Sequence, residues 1–192
     1  MTRTAKGSQR RDEILDTALE VLAHRGYRQT SLRGIGRELG VQPAQLLHYF
    51  GSKEDLLESV IARWDAESEA VVVEGAAAGR DFLDAWPLIV QRNSRVAGLV
   101  HLYTALAAEA ADENHPSRSF FAERWRRVRE YIAADLERRV RDGRASPGLD
   151  PQRSASRLIA FSDGMQLQWL MDRSIDMVAE LTAMVDAELW RE

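Results

Sequence analysis

The sequence predicts an all-α fold, and three observations carry that prediction. Apolar residues recur at three- and four-residue spacing along almost the whole chain, as helices with one buried face require. Glycines, prolines and Ser, Thr or Asp residues fall where such helices should stop and start. Across 192 residues, 45% hydrophobic and 29% charged content supports a globular core rather than disorder or a fibrous repeat. At about 150 residues per domain, that length suits one domain or a small one fused to a larger one.

The first helix is expected where Ile14, Leu15, Ala18, Leu19 and Leu22 share a face, with Gly26 as its left-handed stop. Thr30 and Ser31 are N-cap types before Leu32, Ile35 and Leu39, and Gly40 ends this second, two-turn helix. Pro43 suits the first position of a third short helix whose buried side is Leu46 and Phe50. After Gly51, Ser52 and Asp55 read as a capping box opening a long helix through Leu56, Leu57, Val60, Ile61 and Trp64, with Gly75 and Gly79 as its end.

Further helices are expected over Phe82 to Arg95 and Leu99 to Ala111, before Asn114-His115-Pro116 interrupts. An arginine-rich helix then runs from Ser117 to Gly143, its interleaved acids marking a solvated face rather than a second nucleic-acid surface. The loop Ala145-Ser146-Pro147-Gly148 precedes a closing hairpin over about 151–173 and 175–190. Its apolar stripes, Leu158, Ile159, Ser162, Met165, Trp169 and then Leu181, Met184, Val185, suit either an internal core or a symmetric four-helix interface.

The net charge of −4 conceals a division. Residues 1–53 hold nine basic and five acidic side chains, whereas the remainder holds seventeen and twenty-five. A basic head on an acidic body fits a small nucleic-acid-binding unit fused to a larger domain. The head contains two short helices joined by a glycine-containing turn behind a longer amphipathic one, the parts of a helix-turn-helix, although a plain helical bundle would use them too.

Two segments then carry a specific likeness. Thr30-Ser31-Leu32-Arg33-Gly34-Ile35-Gly36-Arg37-Glu38-Leu39-Gly40-Val41 and Leu46-Leu47-His48-Tyr49-Phe50-Gly51-Ser52-Lys53-Glu54-Asp55-Leu56-Leu57 resemble the DNA-binding signature of TetR (tetracycline-repressor-like) regulators. The likeness covers about residues 10–60. It implies a dimeric, ligand-responsive regulator with a helix-turn-helix over 1–53 and a ligand-sensing and dimerisation body over 54–192, linked by the helix starting near residue 52. Departures are Gly36, where the family usually has alanine, Gly34, where it usually has an acid, and Leu47, where it usually presents an aromatic. Each helical glycine should cost roughly 1 kcal/mol against alanine.

Gln42, Pro43, Ala44, Gln45, Leu47, His48 and Tyr49 are the residues expected on or near the presented face of the third helix. There Gln45 suits an adenine edge and Ala44 or Leu47 a thymine methyl, while the resemblance assigns the Gln45 and Tyr49 positions largely to phosphates. Thr30, Ser31 and Lys53 are expected to hold phosphates without reading sequence, with Arg33 in the same DNA-binding set. A single short helix reads few base pairs, so a homodimer on a palindromic operator is expected, through Leu158, Ser162, Met165, Trp169, Leu181 and Met184. The resemblance implies a cavity for a small apolar or aromatic ligand, with Trp64, Arg92, His101, Tyr103, Trp125 and Phe161 as candidates; core tryptophans and exposed polar groups are the competing account.

Other chemistries lack signatures. Without cysteine there is no disulfide scaffold, thiolate nucleophile or cysteine-bound metal, and His24, His48, His101 and His115 include no i,i+4 pair. No Gly-x-Ser-x-Gly elbow or phosphate loop occurs, and Gly34, Gly36 and Gly40 miss the dinucleotide spacing. The chain is read as a non-enzyme without cofactor or membrane segment, cytoplasmic because no secretory signal is present. A helical enzyme or small-molecule-binding module without regulatory DNA binding is the alternative.

Overall fold

The computed structural model describes residues 2–26, 31–77 and 79–190, with side chains from Gly7 onward. The described residues form nine helices and no strand: α1 Thr2–Arg25, α2 Leu32–Leu39, α3 Pro43–Phe50, α4 Lys53–Ala77, α5 Phe82–Ser94, α6 Ala97–Glu109, α7 Arg118–Arg141, α8 Pro151–Met171 and α9 Met177–Leu189. None of them is long and apolar enough to cross a membrane. Two compact units result, Met1–Ala66 with Val96–Arg118, and Glu67–Arg95 with Ser119–Glu192. The first therefore runs past the boundary expected at residue 53 and takes in α6 as well.

In the first unit, Ile14, Leu15, Ala18 and Leu22 of α1 are buried together with Ile35, Leu46, Leu56, Leu57, Val60 and Ile61. Ser52 and Asp55 make the reciprocal box: Asp55 N–H donates to Ser52 Oγ at 2.9 Å and Ser52 N–H to Asp55 Oδ2 at 3.1 Å. Helix α2 ends in a Schellman turn, with Val41 N–H donating to Gly36 O at 2.8 Å and Gly40 at φ 66°. This turn accounts for Gly36, because a Cβ there would lie 2.6 Å from Val41 O. The residue that weakens helix propensity is the one that lets the chain fold back so soon.

Gly98 brings α6 directly onto the end of α1. A Cβ at this position would overlap the Leu22 carbonyl oxygen and lie 2.7 Å from its carbon. Both neighbours are backbone, so neither can move without its helix. Gly98→Ala should therefore push α1 and α6 apart at a cost of about 1–3 kcal/mol. Urea unfolding checks this, and an unchanged midpoint would contradict the close approach.

In the second unit, α4 continues through Gly75 to Ala77 rather than stopping at the first glycine. The cost of one helical glycine is small. The end comes through another Schellman turn, with Arg80 N–H on Gly75 O at 2.9 Å and Gly79 at φ 75°. Buried Leu83, Trp86, Val90, Phe121, Ile132, Leu136, Leu158, Met165, Trp169, Leu181 and Val185 make the core, in which α9 packs on both α5 and α8. Buried Glu188 ties the hairpin, accepting from Ser154 Oγ at 2.7 Å and Arg157 Nη1 at 3.0 Å.

Ions also join α5 to α7. Asp135 is fully covered, and its carboxylate accepts from Leu83 N–H at 2.7 Å and Arg139 Nε at 3.1 Å. Arg139 reaches on to Asp84 at 2.7 Å, and Arg144 to Asp81 at 2.8 Å. Burial would raise the Asp81 pKa, but the Arg144 hydrogen bond and the nearby guanidinium groups outweigh it and hold the carboxyl below its usual range. Its stabilising contribution is present above about pH 4 and is lost as pH falls through the depressed folded value.

Within one chain this packing already covers most of the expected dimer contacts. Leu158 and Leu181 are 0% exposed within one chain, and Ser162, Met165 and Trp169 are buried beside them. A side chain already covered by its own hairpin has no surface to give a second copy. Met184 alone among the six is half-exposed.

Candidate nucleic-acid interface

Helix α3 begins with Pro43 at its first position and ends at Gly51, φ 77°, whose N–H donates to Leu47 O at 2.8 Å. Between these stops it has one buried stripe, Leu46 and Phe50, four residues apart. The remaining residues, Ala44, Gln45, Leu47, His48 and Tyr49, are exposed, and Pro43 is half-buried at the edge. His48 and Tyr49 rings meet edge to face at 5.5 Å. Leu47 is a solvent-facing side chain, 36% exposed.

The helices behind α3 are tied to it and to one another. Arg11 of α1 stacks 4.8 Å over the Phe50 ring and donates to Ser59 Oγ of α4 at 2.7 Å. Arg63 of α4 pairs with Asp12 at 3.2 Å and Asp16 at 2.7 Å, and Arg25 with Glu38 of α2 at 2.6 Å. Exposed pairs of this kind contribute little individually, but here they bridge different helices. Leu46, 0% exposed, supplies the apolar anchor.

The proposed phosphate contacts stand at helix starts. Ser31 is the N-cap of α2, its Oγ accepting from Gly34 N–H at 3.0 Å, and Arg33 is exposed on the first turn. Lys53 is the first residue of α4 and is exposed. Thr30 lies outside the described residues. Sequence reasoning did not find the engagement of Gln45, whose Oε1 accepts from Gln42 N–H at 3.1 Å. The Gln42-to-Gln45 spacing is the only signal that could have shown it.

The six ligand candidates are divided. Trp64, His101 and Tyr103 belong to the first unit, where Tyr103 is buried, Trp64 half-buried and His101 exposed. Arg92, Trp125 and Phe161 belong to the second and are half-buried. Arg92 pairs with Glu67 and donates to Ser68 Oγ at 2.9 Å, so its guanidinium already serves the fold. Trp125 packs at 5.7 Å on buried Phe121, as a core tryptophan would. The second unit does have an open groove of about 420 Å³, lined by Val72, Ala76, Phe82, Tyr131 and Arg138 among others, none of them a candidate.

Known proteins place this arrangement. Residues 14–60 match the profile of bacterial regulatory proteins of the tetR family, and residues 90–191 that of the BetI-type transcriptional repressor C-terminal region. The HTH-type transcriptional regulator BetI of Agrobacterium fabrum is 30% identical over 163 residues, 83% of this chain and 76% of that protein. The fatty acid metabolism regulator protein of Bacillus subtilis is 25% identical over 173 residues, 87% of each chain. Among solved structures, a Rhodococcus sp. protein described as a TetR-family transcriptional regulator superposes with a TM-score of 0.73 at 25% identity, covering 95% of this chain and 99% of that one. FadR from Bacillus subtilis in complex with stearoyl-CoA shares the fold, with a TM-score of 0.67 at 22% identity, over 92% and 96% of the two chains.

Proposed function

The chain belongs to the TetR family of DNA-binding transcriptional regulators, and from that premise we propose that α3 reads the major groove while Thr30, Ser31, Arg33 and Lys53 hold the phosphates. The observation that carries this reading is the exposure of Ala44, Gln45, Leu47, His48 and Tyr49 on a helix whose opposite stripe is buried. A short helix so mounted can enter a groove without unfolding anything. Lys53→Ala should weaken binding to all duplex sequences alike and reduce the salt slope by about one. Affinity measured across a salt series checks this, and an unchanged slope would remove Lys53 from the contact set.

The reading extends to a homodimer on a palindromic operator, because two copies of α3 double the number of bases read. With Leu158 and Leu181 internal, the outward faces of α8 and α9 supply the contact. Leu167 and Met171, four residues apart, are 47% and 83% exposed, Trp190 is 61% exposed, and Met184 is half-exposed. Apolar side chains in that number favour a helical partner surface over water.

The regulator also responds to a small ligand with a substantial apolar part. Support comes from proteins of the same fold solved with lauroyl-CoA or stearoyl-CoA, while the BetI-type match and a neighbour solved with choline keep a small cationic ligand as the second candidate. A ligand releases DNA only by binding the DNA-incompatible state more tightly; tenfold release needs about 1.4 kcal/mol of coupling. Helix α4 is the route, being continuous from Lys53 to Ala77. Adding long-chain acyl-CoA or choline to a preformed protein–DNA complex, with tryptophan fluorescence followed in parallel, separates binding from release. A compound bound at micromolar concentration without loss of DNA would exclude it as inducer.

A further inference from the structure

We propose that α3 selects its half-site through thymine methyl groups, with Gln45 as a hydrogen-bond donor beside them. The proposal rests on α3 being the reading helix and says what that helix can recognise. The face it presents has two sides. Pro43, Ala44 and Leu47 form an apolar one, at spacings of three and four, and Gln45, His48 and Tyr49 a polar one at the same spacings.

What the face lacks narrows the choice. From Gln42 to Phe50 there is no arginine, lysine, asparagine, aspartate or glutamate. The helix therefore has neither the arginine or lysine that pairs in bidentate fashion with guanine O6 and N7 nor the acid that accepts from cytosine N4, and His48 offers guanine at most a single ring N–H at a time. Gln45 has the right amide for adenine, but that pairing needs its oxygen to accept from N6 while its nitrogen donates to N7. The oxygen already accepts from Gln42 N–H at 3.1 Å. A backbone N–H can only donate, so the atom facing it is the oxygen, and the NH₂ is left outward. That bond holds the amide across the start of α3, so the NH₂ is the group offered outward first, while the oxygen keeps one lone pair.

The apolar side has one complement. In the major groove of B-DNA the only apolar group on a base edge is the thymine 5-methyl. Leu47, one turn on from Pro43 and Ala44 and exposed, extends their apolar stripe and gives such a methyl a surface that excludes water. Covering one methyl should be worth about fourfold in affinity, or about fifteenfold when both half-sites of a palindrome are changed together.

The test starts with the full-length protein and random duplexes, from which the bound sequences are selected and an operator defined. Each thymine of that operator is then replaced by deoxyuridine, which removes the methyl and leaves every hydrogen-bonding atom in place. Expected are losses of about fourfold at one or two adjacent thymines per half-site. Leu47→Ala, with helicity and melting checked, should bind the thymine operator more weakly and no longer distinguish it from the deoxyuridine form. Gln45→Glu keeps an acceptor for Gln42 N–H but loses the donor, and should weaken binding without altering the deoxyuridine pattern. If every thymine tolerates deoxyuridine within twofold, or if 7-deaza-adenine gives the large losses instead, the methyl reading is overturned. Retention of no duplex at all would instead overturn the assignment of α3 as reading helix.

Discussion

Asp135→Asn should cost the fold about 3–5 kcal/mol, a large part of the roughly 5–15 kcal/mol that holds a domain together. Asp135 is 0% exposed, and its two oxygens serve two different donors, Leu83 N–H at 2.7 Å and Arg139 Nε at 3.1 Å. Asparagine preserves the shape but offers one acceptor and an NH₂, so one of those donors must face another donor. It also removes the buried carboxylate from Arg139, leaving Asp84 at 2.7 Å, which lies partly in solvent, and Asp81 at 3.9 Å, which Arg144 already engages. Asp135→Ala should fall at the upper end of the range, because it loses both acceptors. Pairing Asp135→Asn with Arg139→Met should recover part of the loss, as expected when removal of the second charge relieves the first. Urea unfolding followed by tryptophan fluorescence measures all three, and a single-variant loss below about 1 kcal/mol would show that water reaches the cluster.

Little of that cluster was legible in the sequence, and the reason is distance along the chain. Asp84 and Arg139 are surface types at unremarkable positions until α5 and α7 bring them within 2.7 Å. The same holds for Gly98, whose need to be glycine comes from Leu22 in another helix. Local signals fared better. The Ser52–Asp55 box, Pro43 at a helix start and the glycine stops at Gly26, Gly40 and Gly51 depend only on neighbours, and α1 to α4 begin or end on them. The presented face of α3 followed from the Leu46–Phe50 stripe alone. Periodicity shows which face of a helix is apolar and leaves open what covers it. In α8 and α9 the covering proved to be their own chain.

That distinction sets the second large effect, for Leu181→Asp should unfold the protein instead of releasing a folded monomer. Leu181 is 0% exposed inside one chain, in a core it shares with Leu158, Trp169 and Val185. Truncation to alanine at such a site costs about 2–5 kcal/mol from lost contacts and the cavity. Aspartate adds the cost of burying a carboxylate at a position 0% exposed. The sum approaches the whole stability of the domain. Met171→Asp gives the contrast, because a residue 83% exposed in the single chain should change stability by no more than about 0.5 kcal/mol. If the outward face of α8 meets a second copy, that variant keeps its helical circular dichroism and sediments as a monomer, with weaker operator binding. The two variants thus separate an internal stripe from an external one. A folded, monomeric Leu181→Asp protein would mean that the stripe faces a partner after all, and that the hairpin packs differently in the dimer from its arrangement in the single chain.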